Sequence, residues 1–266
     1  PSKGIEMKKV LKWVLIILVV LIIIGIFAGK DKDGSDKKPE AVKSSEQKIA
    51  MTDKEYKMAE LIINNDVMNS LNGNDSQITT DYIRVTAREM QQTYASNEAR
   101  GDKTYKGKNI IITGIIKSID SSIGDIPVVS LNTGEMFSTV RLHLAKPYRD
   151  MAADLDKNQK ITLACVGDSV IIGSPGLKDC KPVPAVASKI TNEQMKFVNK
   201  FIKGNNEVPN EIKQIVLLAK VLGKETGDFS QCQDINSQCM NDSVKVLKSI
   251  SKEKLQEEAK LLGVEM

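Results

Sequence analysis

The sequence predicts an α+β protein: a five-stranded barrel with flanking helices, an N-terminal transmembrane helix and a C-terminal helical domain. Three observations carry this prediction. The stretch YKGKNIIITGIIKSIDSSIGDIPVVSL, Tyr105 to Leu131, has the period-two patterning of a strand pair. The stretch WVLIILVVLIIIGIFAG, Trp13 to Gly29, carries no charge. Segments with helical spacing, opened by Thr-x-x-Glu or Thr-x-x-Gln capping boxes, stand on both sides of the strands.

The apolar run, extended by Val10 and Leu11, approaches the ~20 residues a helix needs to cross a bilayer. Lys8, Lys9 and Lys12 precede it, so the amino end is expected to stay in the cytoplasm and the rest of the chain to be exported. That makes the cytoplasmic membrane the first partner, with a single-pass inner-membrane topology and a periplasmic carboxyl-terminal part. Met7 reads as a start, leaving residues 1–6 as an upstream extension and residues 7–29 as the anchor. A cleaved signal peptide is the alternative; its apolar region would be shorter, about 7 to 15 residues, and would end in small residues rather than in GIFAGKDK. No Cys follows the run, so lipid attachment of the bacterial lipoprotein kind has no acceptor. Residues 30–50 are charged, poor in large apolar residues and punctuated by Gly34 and Pro39, the composition of a flexible linker. Asp31, Asp33 and Asp36 do not make a calcium loop, because the Gly comes too early and the closing Glu is missing.

Residues 51–102 are expected to be a helical lead-in. Thr52 and Glu55 form the first capping box and Thr86 and Glu89 the second, with Ala87, Met90 and Tyr94 on one face. The barrel is placed at residues 103–183. Its first strand puts Ile110, Ile112, Gly114 and Ile116 on one face and Ile111, Thr113, Ile115 and Ile119 on the other, with Gly114 marking a bulge or sharp coil. Pro127 to Leu131 is the second strand, and Ser138, Val140, Leu142 and Leu144 are the inward side of the third. Pro147 opens a short helix with Tyr148, Met151 and Leu155 on one stripe. Ile161 to Val166 is the fourth strand; the fifth is either Val170 to Ile172 or Leu177 to Lys181. Three strands, a helix and two strands is the order of an OB-fold barrel.

Across Val85 to Lys181, NEARGDKTYKGKNIIITGIIKSI, VVSL, LDKNQKITLACVG and LKDC resemble the bacterial cell-envelope OB-fold proteins grouped as tRNA-anticodon-binding-domain-like. Members are described as lipoproteins or as nucleic-acid-binding proteins. The elements that carry the resemblance are Asn97, Asp102, Tyr105-Lys106-Gly107-Lys108, Gly114, Gly167 and Cys180. The resemblance implies a barrel in the cell envelope and names no ligand. The chain departs from the lipoprotein members in lacking their attachment Cys.

Residues 190–266 are expected to form the helical domain. Thr191 and Gln194 read as a third capping box, with Met195, Val198, Phe201 and Ile202 behind it. Pro209-Asn210 starts the next helix, which Gly223 is expected to stop. Val244, Leu247 and Ile250, then Leu255, Ala259 and Leu262, suggest one or two more. Four cysteines, all after the apolar run, read as disulfides in an exported chain: Cys165 with Cys180 and Cys232 with Cys239. Zinc is disfavoured, since there is no C-x-x-C and the sole histidine, His143, is far from the last pair.

No catalytic constellation is complete. Gly167-Asp168-Ser169 resembles one hydrolase nucleophile block, but that chemistry needs a downstream His and none exists. Gly25 to Lys30 lacks the spacing and the hydroxyl of a phosphate loop, and Arg100-Gly101-Asp102 belongs to the approach to the first strand. No cofactor is called for. Net charge is +4, with Lys8, Lys9, Lys12 and Lys30 before or at the membrane edge, so the exported part is near neutral. Together with 4% aromatic content this disfavours single-strand nucleic-acid binding, which uses basic grooves and stacked aromatics. The expected function is a non-catalytic binding or assembly module whose partner is another envelope protein, with nucleic acid the alternative. The expected ligand face, on the second and third barrel strands, comprises Phe137, Thr139, Arg141 and His143.

Overall fold

The computed structural model describes residues 48–122, 126–225 and 249–264. The predicted membrane segment, most of the linker and the pair Cys232 and Cys239 lie outside the described residues. Among the described residues no helix is long and apolar enough to cross a membrane. The chain divides into two compact units, Val67–Ile190, and Pro1–Asp66 with Thr191–Met266.

The first unit contains the barrel. Strand β1 (Ile83–Thr86) leads directly into helices α2 (Ala87–Ser96) and α3 (Glu98–Tyr105), after α1 (Asp53–Asn72). Then come β2 (Asn109–Ser122), β3 (Ile126–Asn132), β4 (Thr139–Leu144), β5 (Lys160–Gly167) and β6 (Gly176–Pro182). The sheet order is β1-β2-β3-β4-β6-β5, and β5 pairs back onto β2, so five strands close. The β4–β6 pair is parallel and the other pairs within the closed ring are antiparallel. This is the OB-fold barrel; of the two candidates for the last strand, the one at Leu177 to Lys181 is formed. Ile171 and Ser174 instead close a tight turn, each N–H donating to the other's carbonyl.

The interior is packed with Ile110, Ile112, Ile116, Val129, Leu131, Val140, Leu142, Leu144, Leu163 and Leu177. The break in β2 lies beyond Gly114. Register shifts between Ile116 and Ser118, and the extra residue reverses the alternation, so Ile119 packs on the same core as Ile116 instead of facing away from it. Gly114 is a point of close approach: a Cβ there would lie 3.0 Å from Leu131 Cδ1 and 3.1 Å from Ala87 Cβ.

Three further expectations are corrected. β1, four residues that pair in parallel with Ile110 to Thr113 of β2, was not anticipated. The helix after Pro147 is two 3-10 turns, Lys146–Tyr148 and Asp150–Asp154, which still bring Met151 and Leu155 against the core. Thr191 caps nothing. Helix α4 (Val183–Ile202) runs through it unbroken, and Thr191, 3% exposed, donates its hydroxyl to Asn64 Oδ1 at 3.3 Å.

The second unit is helical, with α5 (Asn210–Glu225) and α6 (Lys252–Leu261) beside parts of α1 and α4. Val198, Phe201, Ile212, Val216 and Ala219 are fully buried, the faces the helical spacing indicated. Thr52 and Glu55 form their reciprocal cap at the start of α1 (2.8 and 3.2 Å), and Lys220 Nζ lies 3.6 Å from the buried Glu55 carboxylate. Gly223 does not stop α5, which continues to Glu225. Its missing side chain leaves room for Glu55, whose Cγ would lie 2.5 Å from a Cβ.

Candidate binding surface of the barrel

The residues that carry the family resemblance build the junction where α3 meets β2. Asn97 caps α3, its side-chain oxygen accepting from Arg100 N–H at 3.0 Å. Asp102 accepts from the Tyr94 hydroxyl at 3.5 Å and pairs with Lys106 at 3.6 Å. Burial and then the Asp102 charge push the Tyr94 phenol up to about 12. Its ring stands 5.9 Å from that of Tyr105 and lies against Gly101, where a Cβ would collide with it. Gly107 takes a positive φ of 71°, and its N–H donates to Gly167 O at 3.0 Å, while Gly167 N–H donates to Lys108 O at 2.9 Å. A Cβ on Gly167 would collide with the Tyr105 carbonyl. These residues hold backbone in place, which also accounts for Arg100-Gly101-Asp102. Cys180 is disulfide-bonded to Cys165, tying β6 to β5.

On β4, Val140, Leu142 and Leu144 point into the core, so Thr139, Arg141 and His143 face outward, each partly buried. Opposite them on β3 stand Asn132, Ser130 and Val128, and Arg141 also faces Gly176 of β6. Beside this row Asp168 and Lys178 form an ion pair at 3.2 Å. Burial depresses the His143 pKa, Arg141 adds to the effect and Asp168 opposes it, so the ring is neutral near pH 7. Arg141 Nε is buried with no hydrogen-bond partner. Ser130 and Val128 are buried (7% and 8% exposed), so the row offers solvent the Thr139 hydroxyl, part of the Arg141 guanidinium and the neutral imidazole of His143, which suit hydrogen-bond acceptors and single anionic groups. Phe137 is not on the strand; it sits in the loop of residues 133–138 and is 92% exposed.

Reading from sequence missed two surfaces. One is an open cleft of about 300 Å³ lined by Leu71, Arg84, Glu89, Ile111, Thr113 and Thr162 among others. Its polar groups are largely satisfied: Arg84 donates to Ser70 O at 3.0 Å, Glu89 accepts from Thr86, and the Thr113 and Thr162 hydroxyls lie 2.9 Å apart. The other is a set of exposed apolar side chains at two loops, Met136 beside the expected Phe137 before β4, and Ile171 and Ile172 before β6. The segment at Val170 to Ile172 reads in sequence as a candidate strand, which hid its exposure.

A closed five-stranded ring with this strand order and a filled interior defines the OB-fold class. A profile of the tRNA_anti-like family matches residues 7–181, and the chain belongs to that family. Among solved structures, a putative nucleic acid-binding lipoprotein from Klebsiella pneumoniae subsp. pneumoniae matches with 18% identity and a TM-score of 0.31, over 37% of this chain and 90% of that one. No curated protein matches the chain.

Proposed function

We propose that the protein is a non-catalytic binding or assembly module of the bacterial cell envelope. It is held at the cytoplasmic membrane by residues 7–29, and it engages another envelope protein through the outward face of β3 and β4. The observation that carries the reading is the filled barrel: apolar side chains occupy the interior, so recognition falls to the surface. Thr139, Arg141 and His143 supply its polar groups, with Phe137 at its rim. The Cys165–Cys180 disulfide supports an oxidising compartment. The low aromatic content, 4%, and the near-neutral exported charge weigh against nucleic acid.

Nucleic-acid binding would show a steep salt dependence, because phosphate contacts release counterions. Fluorescence anisotropy of labelled single-stranded DNA and RNA oligomers, titrated with the protein between 50 and 200 mM salt, tests the choice. Weak binding at low salt without a defined site is expected. Submicromolar binding that falls with the logarithm of salt and is lost in Arg141→Ser would replace the protein-binding reading with the nucleic-acid one.

A further inference from the structure

Several cations of the barrel unit have partners. Lys106 pairs with Asp102, Lys178 with Asp168, and Arg84 donates to Ser70 O. Arg141 stands midway along β4, and among the described residues neither a hydrogen bond nor an ion pair engages its guanidinium. Its Nε is buried without a partner while the residue as a whole stays partly exposed, so the group lies at the boundary between protein and solvent. Arg149 Nε is also without a partner, but it lies past the end of β4, between the two 3-10 turns and outside the row. A buried N–H that has given up water and gained no acceptor costs free energy, and a partly desolvated charge with no counter-charge adds to that cost. An acceptor brought by a partner removes both.

The charge around Arg141 says what kind of acceptor fits. Its cross-strand neighbours, Ser130 on β3 and Gly176 on β6, carry none, and His143 two positions along is neutral near pH 7. Asp168 is close enough to act on the His143 ring, yet its carboxylate is taken by Lys178 at 3.2 Å. The row therefore keeps one uncompensated positive charge, on a planar fork of N–H donors, beside the Thr139 hydroxyl and an imidazole. A carboxylate is the matching group: it carries one negative charge and accepts two parallel N–H bonds from a guanidinium. A nucleic-acid strand brings a phosphate with every nucleotide and stacks its bases on aromatic rings. β4, Thr139–Leu144, supplies neither a second cation nor a Phe, Tyr or Trp.

We infer that Arg141 is the specificity-determining residue of this face and that it recognises a carboxylate of the protein partner, on an acidic side chain or at a chain end. The guanidinium gives up no bond in turning to meet it. The inference rests on the protein-partner reading, and its test separates the two. The full chain carrying Arg141→Lys is produced in its native cells, and the broken cells are treated with a water-soluble carbodiimide, which joins an amine to a carboxylate in contact with it and leaves internal phosphodiesters unreacted. Mass spectrometry of the digest is expected to show the lysine at position 141 joined by an amide to an acidic side chain or the terminal carboxyl of another polypeptide, with no such link from exposed Lys160. Photocrosslinking from position 143 reports on the partner without using charge. Its adduct is expected to persist in Arg141→Lys and to fall about tenfold in Arg141→Gln. An adduct undiminished in Arg141→Gln, equal carbodiimide links from positions 141 and 160, or a link from 141 to Asp168 of the same chain alone overturns the carboxylate and leaves the protein-partner reading standing. A nuclease-sensitive adduct from position 143, or none, overturns both.

Discussion

A methyl group on Gly167 would meet the carbonyl oxygen of Tyr105, so this position tolerates no side chain without moving the α3–β2 junction. Gly167→Ala is expected to destabilise the barrel by about 3 kcal/mol or more, within the range reserved for backbone conflicts; urea unfolding followed by circular dichroism checks it. A loss below 1 kcal/mol would show that the junction yields. His143 makes a separate prediction. Its folded pKa is depressed by burial and by Arg141, below an unfolded value of about 6.5. The unfolded chain therefore binds this proton first. The stability associated with the neutral ring is full above about pH 6.5 and is lost as pH falls through the folded value. The difference in stability between the parent and His143→Gln should change across that window and stay flat from pH 7 to 8. A flat difference at all pH values would contradict the burial of the ring.

Among the elements, capping boxes were legible where chain breaks accompanied them. Thr52 with Glu55 and Thr86 with Glu89 do cap helices, since each follows non-helical chain. Thr191 with Gln194 has the same spelling but sits inside α4, because nothing between Val183 and Thr191 interrupts the helix and the Thr hydroxyl finds Asn64 instead. The third barrel strand, β4, was legible from Val140 to Leu144 because its alternation is strict, but its start was not: Phe137 and Ser138 lie in the preceding loop. β2 was not, because one extra residue after Ile116 reverses its faces and apolar residues lie on both sides. β1 was hidden by its length of four residues and by the helix that follows at once. The Cys165–Cys180 bridge, with its partners 15 residues apart, joins strands that are already hydrogen-bonded neighbours. Replacing both with Ser should therefore lower the melting temperature, consistent with a loss of about 2–4 kcal/mol, and leave strand content unchanged. Far-ultraviolet circular dichroism during thermal unfolding measures both; loss of strand signal at 25 °C would make the bridge a requirement for folding.

For the whole molecule, fold and family were readable because an OB barrel has a distinctive strand order and because the family's residues are backbone-holding ones. The same fact explains why the site was only partly readable: residues that shape a junction say nothing of what the surface touches. Thr139, Arg141 and His143 do share an outward row, whereas Phe137 belongs to a loop tip, a difference set by where β4 begins. The compartment has its own check. A reporter fused after Met266 that is active only when exported should be active, and activity of a cytoplasmic reporter at that position would reverse the topology.

The central claim, that the outward row of β4 meets a protein partner, is tested most directly by photocrosslinking in the native cells. A photoreactive phenylalanine analogue is placed at Arg141, at His143 or, as a control, at exposed Lys160 on β5. The account predicts one discrete adduct from positions 141 and 143, removed by protease and untouched by nuclease, and none from position 160. Adducts removed by nuclease, or equal adducts from all three positions, would contradict it.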